Sequence, residues 1–307
     1  MKTRTFFILV SIAFFSALAC CGNHSFDESS SVINLIDQTN PSGNPYEFIT
    51  KDGSTISVFY MFPAAIDNNT RIFFAMHGSG REANLMLNTF MPMVEEENII
   101  LIVPEFTAKQ FNSLMYEFIG IDGNIVMPEN WTSKIIDSIF LDFKKRFDLL
   151  NDRYIMYGIS GGAQFTHRAV MYSESDYLDY AIAANAGAYT FPDYQVNHPY
   201  GIKNTFPLYG DLIHRNYGRR LYIQIGDQDA DVNDPSLPAV DGQGPHRYMR
   251  ALTFFEASRN YCELHNLFFN WELREISGVG HAPSMFHVQN ILKENRNVHY
   301  DIPSVMH

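Results

Sequence analysis

The sequence predicts a three-layer α/β domain around a mainly parallel central sheet, and three observations carry that reading. Short continuous apolar runs, such as residues 71–76 and 99–103, end abruptly at His-Gly or Pro, as strands buried on both faces do. Amphipathic helical stretches alternate with these runs, and alternation of that kind places helices on both faces of a parallel sheet. The 307 residues are 46% hydrophobic, enough for one sizeable core.

The elements follow in order. Residues 54–62 form a strand stopped by Pro63, and residues 71–76 form a buried one bounded by His77-Gly78. A helix is expected over 81–97, then a buried strand over 99–103 ended by Pro104. Residues 131–150 carry Ile135, Ile136, Ile139, Phe140, Phe143 and Phe147 at helical spacing, one apolar stripe on a helix. A strand over 153–158 runs into a helix over 161–172, and another strand covers 180–185. The Pro-, Tyr- and Asn-rich stretch 187–219 breaks the rhythm, which resumes with a strand over 221–226, an acidic loop and a helix over 247–265. The strand 269–276 and a short helix after His281 close the domain. Trp131 and Met127 read as core. Nothing resembling a linker divides residues 45–307, so they read as a single domain.

Residues 1–21 are set apart. Lys2 and Arg4 precede an apolar run over 6–18, and Ala17-Leu18-Ala19-Cys20-Cys21 follows, the layout of an export signal. The cysteines give this segment the look of a lipoprotein signal, with Cys20 or Cys21 as the anchor, and the Ser-, Asn- and Asp-rich residues 22–44 as a tether. The expected location is therefore periplasmic or at the cell surface, with membrane contact only through that lipid. Cys262, the one cysteine beyond the signal, permits no internal disulfide. A formal net charge of -12 excludes nucleic acid as an expected partner, because such a surface repels phosphate.

The chemistry centres on Gly158-Ile159-Ser160-Gly161-Gly162, which joins a strand directly to a helix. A serine on so sharp a turn presents its hydroxyl above the sheet, and small neighbours let the flanking chains pass. Ser160 needs a base, and His281, in the loop after the last strand, can reach back over the strand ends. His246, His265 and His287 sit on expected helices, and His167 lies on the nucleophile's own helix. An acid must orient the imidazole. Asp229 fits, in the loop after residues 221–226, with Asp231 the alternative and Asp227 close enough to the strand end to cap the turn. For an oxyanion, the Gly161 amide is one donor. The second comes from His77-Gly78-Ser79-Gly80 and is assigned to Ser79, with Gly80 the alternative. His77 itself suits organising that loop. No metal or cofactor is required.

Taken together, Gly158-Ile159-Ser160-Gly161-Gly162-Ala163, His77-Gly78-Ser79-Gly80, Gly226 with Asp229, and Gly278-Val279-Gly280-His281 resemble the α/β-hydrolase superfamily. Within it, the chain is most similar to secreted esterases of the polyhydroxybutyrate-depolymerase and feruloyl-esterase-like kind. The resemblance implies an eight-stranded sheet, the triad Ser160, Asp229 and His281, and hydrolysis of a small or polymeric ester. A serine peptidase or an acyltransferase would keep the same triad, and a non-catalytic binding lipoprotein would keep only the fold. The aromatic stretch 187–219 reads equally as a lid over the site and as an excursion packed on the domain.

Overall fold

The computed structural model describes residues 45–121, 128–240 and 242–296. The expected signal and tether, 1–21 and 22–44, lie outside the described residues, as does Met127. Eight strands are described: β1 (Tyr46–Ile49), β2 (Thr55–Met61), β3 (Arg71–Met76), β4 (Ile99–Glu105), β5 (Tyr154–Ile159), β6 (Leu178–Ala184), β7 (Arg220–Gly226) and β8 (Trp271–Ile276). They form one sheet in the order β1-β2-β4-β3-β5-β6-β7-β8. β2 is antiparallel to β1 and to β4. From β4 to β8 all pairings are parallel, so the strands end together along one edge.

The helices are α1 (Ala83–Phe90), α2 (Met93–Glu96), α3 (Ser133–Arg146), α4 (Gly161–Met171), α5 (Phe206–Asn216), α6 (Arg247–Leu264) and α7 (Met285–Glu294). Because side chains alternate along a strand, β3 serves two layers. Phe73 points into a cluster with Leu87, Phe90, Tyr157, Ile291 and Leu292, contributed by α1, β5 and α7. Phe74 meets Tyr154 of β5 at 5.1 Å, and Tyr154 meets Phe140 of α3 at 5.3 Å on the other face. The central strands β5 and β7 are buried throughout and β3 at all but its first residue, whereas the edge strands β1 and β8 carry exposed positions.

Three elements differ from expectation. The helix expected over 81–97 is two helices, α1 and α2, because Pro92 has no N–H to continue the ladder and its ring collides with the preceding turn. β1 was not anticipated. It is a short edge strand held by a tight turn, in which Gly53 N donates to the Thr50 carbonyl at 3.0 Å. α5 lies inside the stretch 187–219, with Pro207 in its first turn, where proline is tolerated. Trp131 is core, 1% exposed.

Phe73 packs edge-on against Phe90 at 5.6 Å and stacks with Tyr157 at 6.3 Å on a central strand. Phe73→Ala should cost about 3–5 kcal/mol in urea unfolding. A loss below about 1 kcal/mol would contradict this account of the core.

Candidate active site

The five loops at the C-terminal ends of β3, β5, β6, β7 and β8 carry His77–Gly80, Ser160, Asn185, Asp229 and His281 respectively. This edge of a parallel sheet is where such folds bind ligands.

Ser160 stands between β5 and α4 with φ 55° and ψ -114°, a conformation costly for a residue with a Cβ. Its N–H donates to the Ala184 carbonyl at 2.9 Å, and its own carbonyl accepts from Gln164 N at 3.0 Å. The turn packs so closely that a Cβ on Gly162 would lie 2.4 Å from the Met76 carbonyl oxygen and 2.5 Å from that of His77. At Gly161 a Cβ would lie 2.9 Å from Ser79 N. Glycine therefore lets the amide of Ser79 come up beside the first amide of α4. Gly161 is the first residue of α4, where N–H groups have no acceptor within the helix.

The loop after β3 is fastened from beneath. His77 is fully buried, and its Nε2 accepts from Phe106 N at 3.0 Å. A backbone N–H only donates, so the proton of His77 is on Nδ1, which donates to the Gly78 carbonyl at 3.0 Å. Burial pushes the imidazole down to about 4, against the opposing effect of that carbonyl, so it is neutral at pH 7. Tyr116 donates its hydroxyl to the His77 carbonyl at 2.7 Å. Arg81, with φ 61°, donates its N–H back to the Gly78 carbonyl at 3.0 Å, closing the turn around Ser79 and Gly80.

Asp229 is 4% exposed and lies 2.7 Å, through Oδ2, from His281 Nδ1. Asn185 donates to the same oxygen at 2.7 Å and to the Gly280 carbonyl at 3.1 Å, joining the loops after β6, β7 and β8. Arg247 Nη1 stands 3.5 Å from Oδ1. Burial by itself raises the carboxyl pKa. The hydrogen bonds from His281 and Asn185, with the charge of Arg247, outweigh it and leave the group below the usual carboxylate range. An ionised Asp229 holds the proton of His281 on Nδ1 and leaves Nε2 as the free lone pair.

The other candidates are elsewhere. Asp231 is exposed and accepts from Asn233 N at 2.8 Å. Asp227 accepts from Gly278 N at 2.7 Å and so ties the β7 loop to the β8 loop. His246 caps α6, accepting from Met249 N, while His265 follows that helix and His287 lies on α7. His167 is fully buried on α4, Nε2 accepting from Thr190 N at 3.1 Å and Nδ1 facing the Ala163 carbonyl at 2.9 Å. Asn185, Arg247, Tyr116 and Glu117 were not anticipated. The only trace of Asn185 in the sequence is its place at the end of a strand, where its φ of 54° suits asparagine. Glu117 accepts from the Ser79 hydroxyl at 2.8 Å.

The aromatic stretch packs on the domain. Tyr189 stacks on Phe254 of α6 at 4.5 Å, Tyr209 meets Trp131 at 5.0 Å, and Tyr217 meets Trp271 at 4.8 Å. These contacts seat the stretch on the domain.

No family model matches the sequence, and no curated protein matches it significantly. Solved structures do. The chain is 31% identical to poly(aspartic acid) hydrolase-1 from Sphingomonas sp. KT-1, with a TM-score of 0.76, over 81% of this chain and 97% of that one. It is 23% identical to a poly(3-hydroxybutyrate) depolymerase from Bordetella parapertussis, with a TM-score of 0.74, over 82% and 89% of the two chains. An S-formylglutathione hydrolase from Staphylococcus aureus, 12% identical with a TM-score of 0.54 over 83% and 98%, shares the fold alone. The chain belongs to the α/β-hydrolase superfamily and is an enzyme of the hydrolase kind. Within the superfamily it resembles the depolymerase and esterase members.

A buried, neutral His77 makes stability depend on pH. Its folded pKa of about 4 lies below the ordinary 6.5, so its stabilisation is complete above pH 6.5 and is lost as pH falls toward 4. His77→Gln should reduce the slope of unfolding free energy in that window by up to about 1.4 kcal/mol per pH unit. Urea titrations at stepped pH measure it, and equal slopes in both proteins would refute it.

Proposed function

We propose that the chain is a serine hydrolase that cleaves carboxylic esters through an acyl-enzyme on Ser160, with His281 as base and Asp229 as its orienting acid. The observation that carries this reading is the 2.7 Å contact between His281 Nδ1 and the buried Asp229 carboxylate. It sits one loop from the strained Ser160 turn, the loops being linked through Asn185 and the Ala184 carbonyl.

In this reading His281 Nε2 takes the proton of the Ser160 hydroxyl as Oγ attacks the ester carbonyl. The carbonyl oxygen becomes an oxyanion and accepts hydrogen bonds from the Gly161 and Ser79 amides. Collapse of the tetrahedral intermediate breaks the bond to the alcohol, which leaves with the proton from His281. Water then gives a proton to His281 and attacks the acyl group. The second collapse frees the acid and returns the proton to Ser160. Asp229 stays ionised throughout and stabilises the imidazolium formed in each half.

A second reading, hydrolysis of a polymer amide, is favoured by the 31% identity to a poly(aspartic acid) hydrolase. A net charge of -12, with Asp227 and Asp231 on the loop beside His281, disfavours an anionic polymer and ranks the ester first. A peptidase or acyltransferase would differ in the pocket rather than in these residues. For location, the basic and apolar residues 1–21 support export, and Cys20 or Cys21 supports lipid attachment.

Wild-type protein should turn over p-nitrophenyl esters and take up a fluorophosphonate at Ser160. Ser160→Ala should lose both, with kcat/KM falling about 10⁴-fold or more, and Asp229→Asn should lose about 10⁴-fold with labelling slowed. Turnover of poly(aspartic acid) without turnover of any ester would select the second reading. An unlabelled wild type would reject the acyl-enzyme.

A further inference from the structure

We infer that Glu117 is a positioning residue for the oxyanion site, its buried carboxylate holding the Ser79 hydroxyl and thereby fixing the peptide whose N–H faces the substrate carbonyl. The inference rests on the acyl-enzyme reading above.

Ser79 is exposed and flanked by Gly78 and Gly80, so no neighbouring Cβ restrains its peptide. An oxyanion donor gains its effect only if it is aimed before the charge develops. Two restraints hold this turn: the Gly78 carbonyl accepts from Arg81 N and from His77 Nδ1, both at 3.0 Å, and the Ser79 hydroxyl donates to Glu117 Oε1 at 2.8 Å. The second is the one that acts on Ser79 itself.

Glu117 is well built for the task. It is 8% exposed, and a carboxylate taken out of water is costly unless it is compensated. Its Oε1 lies 3.2 Å from where a Cβ on Gly161 would be, beside the first turn of α4. Its backbone is fixed on both sides. Tyr116 bonds the His77 carbonyl, and Arg168 Nη1 donates to the Glu117 carbonyl at 2.9 Å. Arg81, whose guanidinium lies 4.3 Å over the Tyr116 ring, and Arg168 both attract the carboxylate. With a positive group on either count, its negative charge does not oppose the oxyanion unaided.

The test compares Glu117→Leu, Glu117→Gln, Ser79→Ala and the double variant Ser79→Ala/Glu117→Leu on a p-nitrophenyl ester, with an aryl boronate as mimic of the tetrahedral state. Glu117→Leu and Ser79→Ala should each lower kcat roughly 10-fold, less than the ~10²–10³-fold cost of deleting a donor outright. KM should stay within roughly twofold, and boronate affinity should fall in step with kcat. The double variant should be no worse than Glu117→Leu alone. Glu117→Gln keeps an acceptor oxygen and should restore most of kcat. Losses that multiply, a wild-type kcat in Glu117→Leu, or a rise in KM alone would overturn the inference, the last making Glu117 a substrate contact. Should Glu117→Leu fail to fold, Ser79→Ala alters only an exposed side chain and decides the matter by the same split of kcat from KM. Full activity of Ser160→Ala would overturn the acyl-enzyme reading as well. An inactive Ser160→Ala beside a fully active Glu117→Leu would overturn this inference alone.

Discussion

Ser160 is held at φ 55° and ψ -114°, a backbone state that costs a residue with a Cβ on the order of 1–3 kcal/mol, and the surrounding structure makes the alternatives worse. Relaxing the turn would break the bond from Ser160 N to Ala184 and move the start of α4. It would also separate chains that now pass so closely that no Cβ fits at Gly162. Every residue of α4 from Gly161 to Met171 is buried, so the helix cannot shift to absorb the change. The same proximity brings Ser79 N beside Gly161. The strained serine and the paired amides are thus one constraint: a buried helix driven against the end of β3.

The histidines of this region divide by burial and by what faces each ring. His77 and His167 are buried, and each has a backbone N–H aimed at Nε2. That donor fixes the tautomer and opposes protonation, so both are neutral struts. His281 is the reverse case. Its side chain is 34% exposed, and its partner at Nδ1 is an ionised carboxylate. In the proposed reaction, water and Asp229 would flank the imidazolium that His281 forms as general base. Asp229 is kept ionised by hydrogen bonds from His281 and Asn185 and by the charge of Arg247, three groups on three separate elements.

Much of this was legible in the sequence, because it is written in local pattern. The buried strands showed as apolar runs, and the serine turn showed as glycines between a strand and a helix. The loop positions of Asp229 and His281 followed from strand order alone. What was not legible depends on contacts distant in the chain. Glu117 and Ser79 are 38 residues apart, and Asn185 and Asp229 are 44 apart, with no spacing rule to link them. β1 was missed because an edge strand of four residues shows little pattern, with alternation spread over half-buried positions. α5 was masked by its proline and aromatic content, which on sequence alone signals a loop. Its aromatic neighbours face the domain rather than the site, and this is a tertiary fact.

Arg168 shows what the stretch 187–219 does for the site. Its guanidinium is fully buried; burial pushes its pKa down to about 10, so it remains cationic at neutral pH. Nη1 donates to the carbonyls of Glu117 and Gln164 at 2.9 and 3.1 Å, Nε to Thr190 Oγ1 at 2.9 Å, and Nη2 to the Pro199 carbonyl at 3.1 Å. One side chain on α4 therefore binds the loop that carries Glu117, the first turn of that helix, and the aromatic excursion. A cation in that position needs polar oxygens around it, and the excursion supplies two, the Thr190 hydroxyl and the Pro199 carbonyl. The stretch that breaks the strand-helix rhythm closes the shell around a buried charge lying behind the serine turn. Phe118 lies 5.1 Å from that guanidinium, and Tyr200 of the excursion packs edge-on against Phe118 at 6.2 Å. The excursion thus belongs to the support of the site.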